Sequence, residues 1–455
     1  MKKTRLLCMF LCLTMLVSAL LMTGCSSKDA ANANTTNDTS ADASTNVSTD
    51  TADTTASTDS AETEIAEIYT VTDRNSLSGL VSPLVADRSG INKALPEPGT
   101  TKSDLTVAFS IGQMGAEFFT IMVETAQKKC EEYGYEFLWT SADSSIDKQI
   151  ADVESFIAMG VDAIILNPMD TGTMATVVQD AVDAGIVVIC SGTDFDPSVP
   201  VVTSILANNY YGGWYSGLYM GKYFADWDCV NTACILGMLG HNIDESRTEG
   251  MMAGWIYARQ EAKGEPFAAK EDAMLLAHKY FAELRTNGTM DMSEYGMKVL
   301  AQGEGLWSFD GGLTAAEDII AAHGGELDLI YADADAMGLG AKKAMEDAGF
   351  KPGEDIYLAS SADAMTDVLD AMQKGEYLVT GYNSPELNGG APVDLLHMIF
   401  EEGFDANNML AATDLPYGAV SIENYEEYYN PGHTYAVEKE MKWVTIDEFR
   451  ANFDK

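Results

Sequence analysis

The stretch GEYLVTGYNSPELNGG (375–390) decides the fold, because in it a short apolar run gives way to a polar turn and then to a helix start. Two earlier stretches have the same design: YADADAMGLGAKKAMEDAG (331–349) and YLASSAD (357–363). Short apolar runs of this kind are typical of strands that are buried on both faces. The pattern therefore predicts parallel strands that alternate with helices, which is an α/β fold.

The same alternation extends over the chain from Asp104 onwards, in two series. Predicted helices separate the strands of the first series, at 105–111, 135–141, 161–168 and 186–192. The second series has its strands at 232–239, 327–333, 355–361 and 377–383. A charged segment, 263–300, interrupts the second series as an insertion. A region longer than about 250–300 residues favours two hydrophobic cores. The predicted fold class is therefore α/β, with two Rossmann-like, doubly wound lobes in succession.

The first 25 residues have the pattern of a bacterial lipoprotein signal. A basic start precedes the apolar stretch Leu6–Met22, as in a signal peptide. Small residues stand directly before Cys25, which resembles the lipobox that directs acylation of that cysteine. We predict a signal peptide over 1–24 and a lipid on Cys25 that anchors the protein to the outer face of the cytoplasmic membrane. An uncleaved membrane anchor is the alternative.

Residues 25–103 are predicted to be a tether between the lipid and the lobes. Ser26–Ala66 consists almost entirely of small and polar residues, so this stretch cannot bury enough apolar surface to offset the entropy of ordering. The following residues, up to Thr101, contain apolar side chains such as Leu77 and Leu80 but also several prolines. We predict this second part to be an extension of the tether that docks at most in part.

The charge of the chain disfavours several kinds of partner. It has 27 Lys and Arg against 70 Asp and Glu, a net charge of −43. Removal of residues 1–24, which hold three basic residues and no acidic ones, leaves 24 against 70, a net charge of −46. A charge of this size disfavours nucleic acids and anionic lipid surfaces as partners.

The cysteines and histidines predict no metal site. Four cysteines lie beyond the signal: Cys130, Cys190, Cys229 and Cys234. Buried small residues are the preferred interpretation, and a Cys229–Cys234 disulfide is the alternative. The five histidines are scattered, and none stands at metal-ligand spacing from a cysteine.

Candidate ligand contacts follow the predicted strands, because ligands of open α/β sheets bind outside the carboxyl ends of the strands. The aromatic candidates are Phe118, Phe119 and Trp307, whose rings suit the apolar face of a sugar; packing beneath a helix is the alternative. Arg247 opens a helix, where the helix dipole disfavours a cation, so either a ligand or an ion pair accounts for it. The polar candidates are Asp194, Asp335, Asp363 and Asn383, which can orient hydroxyl groups or can cap helices and turns.

Several of these stretches together resemble a known family. They are Phe118-Phe119, Ile165–Pro168, Asn209 with Gly212-Gly213, Arg247 with Gly250, Ala334–Met337 with Gly340-Ala341, Asp363, and Asn383 with Pro385. Their order and spacing, from Asp104 to about Lys455, resemble the type I periplasmic-binding-protein family, in its ribose/galactose branch of ABC-transporter sugar receptors. The resemblance implies three hinge strands between the lobes, near 207–209, near Asn383 and in the C-terminal tail. The implied first lobe is 104–207 with about 384–412, and the implied second lobe is 208–383 with about 413–455.

The resemblance also implies roles for the candidate residues. The phenylalanine pair and Trp307 stack on the sugar, Arg247 donates to its ring oxygen and hydroxyls, Asp363 binds hydroxyls, and Asn383 supplies an amide beside the hinge. The chain departs from the family pattern at Ala334, where Asn is usual, and at 192–194, where an Asp-Arg pair is usual. The Tyr-rich tail, 417–435, is additional. A different sugar, a disaccharide or another polar ligand therefore remains open.

The predicted function is that of an extracytoplasmic, lipid-anchored and monomeric receptor that binds a sugar between its lobes and delivers it to an ABC permease. A ligand-sensing receptor that signals to a membrane kinase or chemoreceptor needs the same cleft and is the alternative. No enzyme is predicted, because the sequence contains no G-x-S-x-G, Walker A or H-E-x-x-H motif. No cofactor is predicted.

Overall fold

The strands belong to two sheets in the part of the chain that the computed structural model describes, which is residues 67–70, 77–80, 88–97 and 99–453. The first sheet comprises β1 (Thr106–Ile111), β2 (Glu136–Ser141), β3 (Ala163–Asn167), β4 (Val187–Ser191), β5 (Ser204–Ala207) and β12 (Ala412–Leu415). Its order is β12-β5-β4-β3-β1-β2, with every pairing parallel. The central strands β3 and β4 are buried throughout, as expected for a parallel sheet that is covered on both faces.

The second sheet has the same central arrangement with an antiparallel strand at each edge. It comprises β6 (Val230–Leu236), β7 (Met290–Met292), β8 (Met297–Glu304), β9 (Leu329–Ala332), β10 (Tyr357–Ser360), β11 (Val379–Gly381) and β13 (Ala419–Ser421). Its order is β13-β11-β10-β9-β6-β8-β7, in which β13 and β7 are the antiparallel strands. The predicted α/β fold with two doubly wound lobes is confirmed.

Helices cover the two sheets. The first lobe contains α1 (Glu117–Tyr133), α2 (Ile146–Met159), α3 (Thr171–Asp183) and α10 (Pro385–Phe400). The second contains α4 (Asn209–Tyr223), α5 (Asn242–Ala262), α6 (Lys270–Asn287), α7 (Phe309–His323), α8 (Asp335–Asp347) and α9 (Thr366–Gln373), and α11 (Ile446–Phe453) lies near the C terminus. Capping residues set where these helices begin and end. For example, the Ser145 hydroxyl accepts from the Lys148 amide at the start of α2, and Gly160 ends that helix with a φ of 70°.

The chain passes between the two sheets three times. It leaves β5 for α4 at 207–209, leaves β11 for α10 at 381–385, and leaves β12 for β13 at 415–419. In both sheets the direction of winding reverses beside the first strand, between β1 and β3 and between β6 and β9. The carboxyl ends of these strands are the expected ligand position in each lobe.

Helices α4 and α5 pack closely because glycines of each helix face the other. A Cβ added to Gly213 would lie 2.0 Å from the Arg247 carbonyl oxygen, and one added to Gly217 would lie 1.9 Å from that of Met251. Gly254 on α5 meets the α4 backbone at a similar distance. The missing side chains let the two backbones approach, and this contact fixes the position of Arg247.

The described residues of the predicted tether extension include several that are docked in the cores of the two lobes. Ile68, Leu77 and Leu80 are buried in the core of the second lobe, and Ile91 is buried in that of the first. Each fully buried aliphatic side chain is worth about 1.5–3 kcal/mol, which stabilises the docking of these residues. Residues 1–66, including the predicted signal and Cys25, lie outside the described residues.

The C-terminal tail also differs from the predicted lobe boundaries. Strand β12 extends the first sheet to Leu415, and Met409 forms an antiparallel bridge with Thr445. Trp443 packs against the first core. The tail therefore returns to the first lobe, whereas the whole of 413–455 was predicted to belong to the second.

The predicted insertion, 263–300, forms part of the second lobe. Its helix α6 buries one face against the core, including Met274, Phe281 and Leu284. Strand β7 then pairs with β8 at the sheet edge. No residue of 263–300 lines the cavity described below.

The cysteines of the described region are all free, and Cys130, Cys190 and Cys234 are buried, so the disulfide alternative is not adopted. Within the same region, none of the helices combines the length and the apolar character needed to cross a membrane.

Candidate functional site

A cavity lies where the carboxyl ends of both sheets meet. The first lobe contributes residues that follow β1, β3 and β4: Gly112, Gln113, Ala116, Phe118, Phe119, Asn167, Pro168, Met169, Gly192 and, from α10, Asn388. The second lobe and its connections contribute Met238, His241, Ile243, Arg247, Trp307, Ala334, Ala336, Asp363, Asn383 and Tyr435. The cavity thus occupies both winding reversals, where the fold predicts ligand binding.

Arg247 and Asp363 form the charged centre of the cavity. The Arg247 Nε donates to the Asn209 Oδ1 at 3.1 Å, and its Nη1 donates to the Asp333 carbonyl oxygen at 3.0 Å. Its Nη2 lies 4.0 Å from the Asp363 Oδ1, beyond ordinary hydrogen-bonding distance. The guanidinium is therefore held by two protein acceptors, and it keeps Nη2 available to a ligand oxygen between itself and the carboxylate.

Two amides orient Asp363. The Asn383 Nδ2 donates to the Asp363 Oδ1 at 2.9 Å, and the Asn388 Nδ2 donates to the Asn383 Oδ1 at 2.8 Å. Burial raises the pKa of Asp363, while Arg247 and the Asn383 hydrogen bond oppose that rise. This chain of amides fixes the carboxylate as an acceptor for ligand hydroxyls.

His241 leaves the charge of the cavity unchanged at neutral pH. Burial lowers its pKa to about 4, so the ring is neutral at pH 7. The charged groups that line the cavity are then one guanidinium and one carboxylate. This balance suits a ligand that has no net charge and many hydroxyl groups. The described residues contain no cluster of His, Cys, Asp or Glu suited to a metal ion.

Trp307 supplies an aromatic wall in the second lobe. Leu306 and Trp307 both adopt left-handed backbone conformations, with φ of 50° and 57°. Such conformations are costly for residues other than glycine and cluster at functional sites. The indole lies against Gly237, the edge of His241 and the Arg247 guanidinium, whose Cζ is 5.7 Å from the ring centroid.

Replacement of Gly237 by Ala should weaken ligand binding. The added Cβ would lie 2.1 Å from the Trp307 Cζ2, so the indole would have to move from its position beside the cavity. Loss of an aromatic contact of this kind is worth about 0.5–1.5 kcal/mol, or up to about tenfold in Kd. Calorimetric titration measures the change. The matched control is Gly325→Ala, where no atom lies within 4 Å of the added Cβ, and equal affinities for the two variants would contradict this role for Trp307.

The first lobe supplies the opposing aromatic wall. Phe118 and Phe119 meet edge to face at the start of α1, with ring centroids 5.8 Å apart. Both rings line the cavity. The structure therefore brings together six of the predicted contacts: Phe118, Phe119, Arg247, Trp307, Asp363 and Asn383.

Asp194 and Asp335 do not line the cavity, so both differ from the sequence prediction. Asp194 accepts from the Gly79 amide at 3.1 Å and so holds the docked extension. Asp335 is buried beneath its helix, where it accepts from the Ser360 and Thr380 hydroxyls and from the Met365 amide. In both cases the carboxylate accepts hydrogen bonds from the protein instead of lining the cavity.

The buried position of Asp335 predicts a pH dependence of stability. Burial, and to a smaller extent Asp363, raises its pKa to about 6 from a usual 3.8. Because the pKa of Asp335 is higher in the folded than in the unfolded state, its protonated carboxyl stabilises the fold fully below about pH 4. This stabilisation is lost as the pH rises through 6. The unfolding free energy of the wild type, relative to Asp335→Asn, should therefore fall by up to about 3 kcal/mol between pH 4 and pH 7. Urea unfolding of both proteins across this range provides the measurement, and a constant difference would contradict the assignment.

Several lining residues were not among the predicted contacts. Asn167 is the last residue of β3, at the winding reversal, and the strand-end rule that identified the other contacts applies to it too. Asn388 lies in α10, five residues beyond Asn383, and its side chain reaches the cavity through its hydrogen bond to the Asn383 Oδ1. Tyr435 comes from the tail, where no strand or helix pattern indicated a contact.

Comparison with known proteins identifies the family. The family described as "Periplasmic binding protein domain" matches residues 107–403, which is more than half of the chain. The chain belongs to this family. The ribose import binding protein of Bacillus subtilis (strain 168) is 23% identical over 308 residues, which cover 67% of this chain and 86% of the relative.

A second curated relative and two solved structures agree with this assignment. The galactofuranose-binding protein of Escherichia coli (strain K12) is 27% identical over 322 residues, 69% of this chain and 85% of the relative. An ABC transporter solute binding protein from Bacillus halodurans C-125, solved with bound myo-inositol, is 27% identical with a TM-score of 0.57, covering 72% of this chain and 99% of its own. A galactofuranose binding protein is similar in fold, at 23% identity and a TM-score of 0.58, covering 71% of this chain and 96% of its own.

Proposed function

We propose that this chain is the extracytoplasmic binding protein of an ABC transporter and that it captures a neutral sugar or cyclitol between its two lobes. The observation that carries the proposal is the cluster of Arg247, Asp363 and Asn383 between two aromatic walls. A polyhydroxylated ring offers apolar faces to the aromatic residues and hydroxyls to the polar ones. Relatives named for ribose and galactofuranose, and one solved with myo-inositol, support the same ligand class.

The size of the cavity favours a ligand of a single ring. Its volume is about 70 Å³, which corresponds to roughly five to seven water molecules at roughly 10–15 Å³ each. A space of this size favours one ring over the two rings of a disaccharide. Contacts from both lobes to one ligand would favour the closed arrangement of the lobes, which is the form that a permease can distinguish from the open one.

Binding is tested by thermal unfolding of the chain without residues 1–25. The panel contains D-ribose, D-allose, L-arabinose, D-galactose, xylitol and myo-inositol, with glutamate and adenosine as ligands of other classes. A ligand at 100 times its Kd adds about 2.7 kcal/mol to the unfolding free energy, which raises Tm by several degrees. A shift with at least one of the six polyhydroxylated compounds is expected. A shift with glutamate or adenosine alone would overturn the proposed ligand class.

We also propose that Cys25 is acylated after removal of residues 1–24, and that the protein is a monomer anchored to the outer face of the cytoplasmic membrane beside its permease. The support is the small-residue sequence before Cys25 and the polar stretch that follows it. In a bacterial host, the wild type should fractionate with membranes and Cys25→Ser should not be acylated. Equal incorporation of labelled palmitate into both proteins would contradict the assignment.

A further inference from the structure

We propose that Tyr435 is a specificity-determining residue of this site, and that its hydroxyl donates a hydrogen bond to one oxygen of the bound sugar. The inference rests on the proposed function and assigns a contact to a segment beyond residue 403, where the family match ends. Tyr435 lines the cavity, and only 4% of its surface is exposed. Within the described part of the chain, no group is hydrogen-bonded to its hydroxyl.

The backbone holds Tyr435 beside Asp363. Residues 434–436 run antiparallel to 364–366, with a bridge between Met365 and Tyr435. The Ala436 amide donates to the Ala364 carbonyl oxygen at 3.0 Å, and the Thr366 amide donates to that of Thr434 at 2.8 Å. Since this pairing begins directly after Asp363, the tail places a tyrosine next to the acceptor for ligand hydroxyls.

The same segment contacts the opposite lobe. The Tyr435 ring meets the Phe118 ring edge to face, with centroids 5.9 Å apart and an interplanar angle of 79°. The Thr434 hydroxyl donates to the Glu117 Oε1 at 3.0 Å. Residues 434 and 435 therefore join the second lobe to the start of α1, and they close one side of the cavity.

The surroundings keep the phenol protonated and able to donate. Burial raises the pKa of Tyr435, and the neighbouring Asp363 and Glu117 raise it further. A protonated phenol in this position favours a ligand oxygen within reach of it over a C–H group at the same place, which would leave the buried donor unpaired. The ring also blocks extension of the ligand on this side, in agreement with a single-ring ligand.

The test compares the wild type with Tyr435→Phe, Tyr435→Ala and the matched control Tyr429→Phe. Tyr429 lies in the same tail, but its hydroxyl donates to the Asp370 Oδ1 at 2.6 Å and it does not line the cavity. Calorimetric Kd values are measured for the six panel compounds and for every mono-deoxy analogue of the compound that binds best. Tyr435→Phe should raise the best Kd about tenfold, Tyr435→Ala should raise it more, and Tyr429→Phe should leave it unchanged.

The deoxy analogues separate a ligand contact from a structural role. If the Tyr435 hydroxyl binds one ligand oxygen, a single analogue, the one without that oxygen, should bind the wild type and Tyr435→Phe equally. A purely structural role would weaken all analogues alike, and that result would overturn the inference, as would a Tyr435→Phe variant with wild-type affinity for every compound. Either result leaves the proposed function intact, whereas absence of binding to the wild type overturns the proposed function and the inference with it.

Discussion

Gly213→Ala should destabilise the protein by about 3 kcal/mol or more and should also weaken ligand binding. The added Cβ would lie 2.0 Å from the carbonyl oxygen of Arg247 and 2.8 Å from the amide nitrogen of Met251. These are backbone atoms of a buried helix, so they cannot rotate away as a flexible side chain can. Helix α5 must shift, and Arg247 shifts with it. Thermal and urea unfolding give the first effect, and calorimetric titration gives the second.

Two further variants show whether the losses of stability and of affinity arise from the contact between α4 and α5 near Arg247. Gly254→Ala places a Cβ 2.0 Å from the Trp214 carbonyl oxygen, in the part of the same helix pair that is remote from Arg247. We expect a comparable loss of stability with a smaller loss of affinity. Gly390→Ala in α10 is the matched control, because its nearest neighbour is a side-chain atom at 3.4 Å, an ordinary contact. Gly390→Ala should leave the unfolding free energy unchanged or raise it by up to about 1 kcal/mol. Similar stability of all three variants would contradict the close packing of α4 on α5.

Asp363→Ala should raise the Kd for the panel compound that binds best at least about 100-fold. Hydrogen bonds to a charged group are worth about 1.5–3 kcal/mol each, and the substitution removes the charged acceptor of the cavity. It also leaves the Nη2 of Arg247 without its neighbouring carboxylate. Asp363→Asn should give an intermediate loss, because the amide keeps an acceptor oxygen but no charge. Calorimetric titration of both variants provides the values.

The control for this prediction is Asp328→Asn, which removes a carboxylate just before the amino end of β9, remote from the cavity. Asp328 accepts from the Asn231 amide at 2.8 Å and does not line the cavity. The affinity of the Asp328→Asn variant for the same compound should equal that of the wild type. If Asp363→Ala keeps wild-type affinity while remaining folded, Asp363 is not the hydroxyl-binding group and the account of the site fails.

The sequence alone predicts strands β1 to β4, β6 and β9 to β11, and it does not predict β5, β7, β8, β12 or β13. The long apolar runs before Asn167 and Asp333 mark β3 and β9, because a strand that is buried on both faces must be apolar throughout. Strands β12 and β13 are short, lie at sheet edges and alternate with polar residues, so no periodic signal distinguishes them from loops. Their place in each sheet depends on pairing with distant strands, which a local pattern does not contain.

The residues of the candidate site also differ in whether the sequence predicts them. Phe118, Arg247 and Asp363 were predictable, since strand ends converge in any doubly wound lobe. Asp335 stands at an equivalent strand end, but whether its carboxylate faces the cavity or the Ser360 and Thr380 hydroxyls depends on tertiary packing. Tyr435 reaches the cavity only because the tail pairs with the residues after Asp363, a contact between segments that no spacing in the sequence indicates.

A crystal structure of the protein with the panel compound that gives the largest thermal shift tests the central claim most directly. The account predicts one ring between Phe118 and Trp307, with its hydroxyls within hydrogen-bonding distance of Asp363 and Arg247. Electron density for the compound at another place on the protein, with this cavity holding only water, would contradict it.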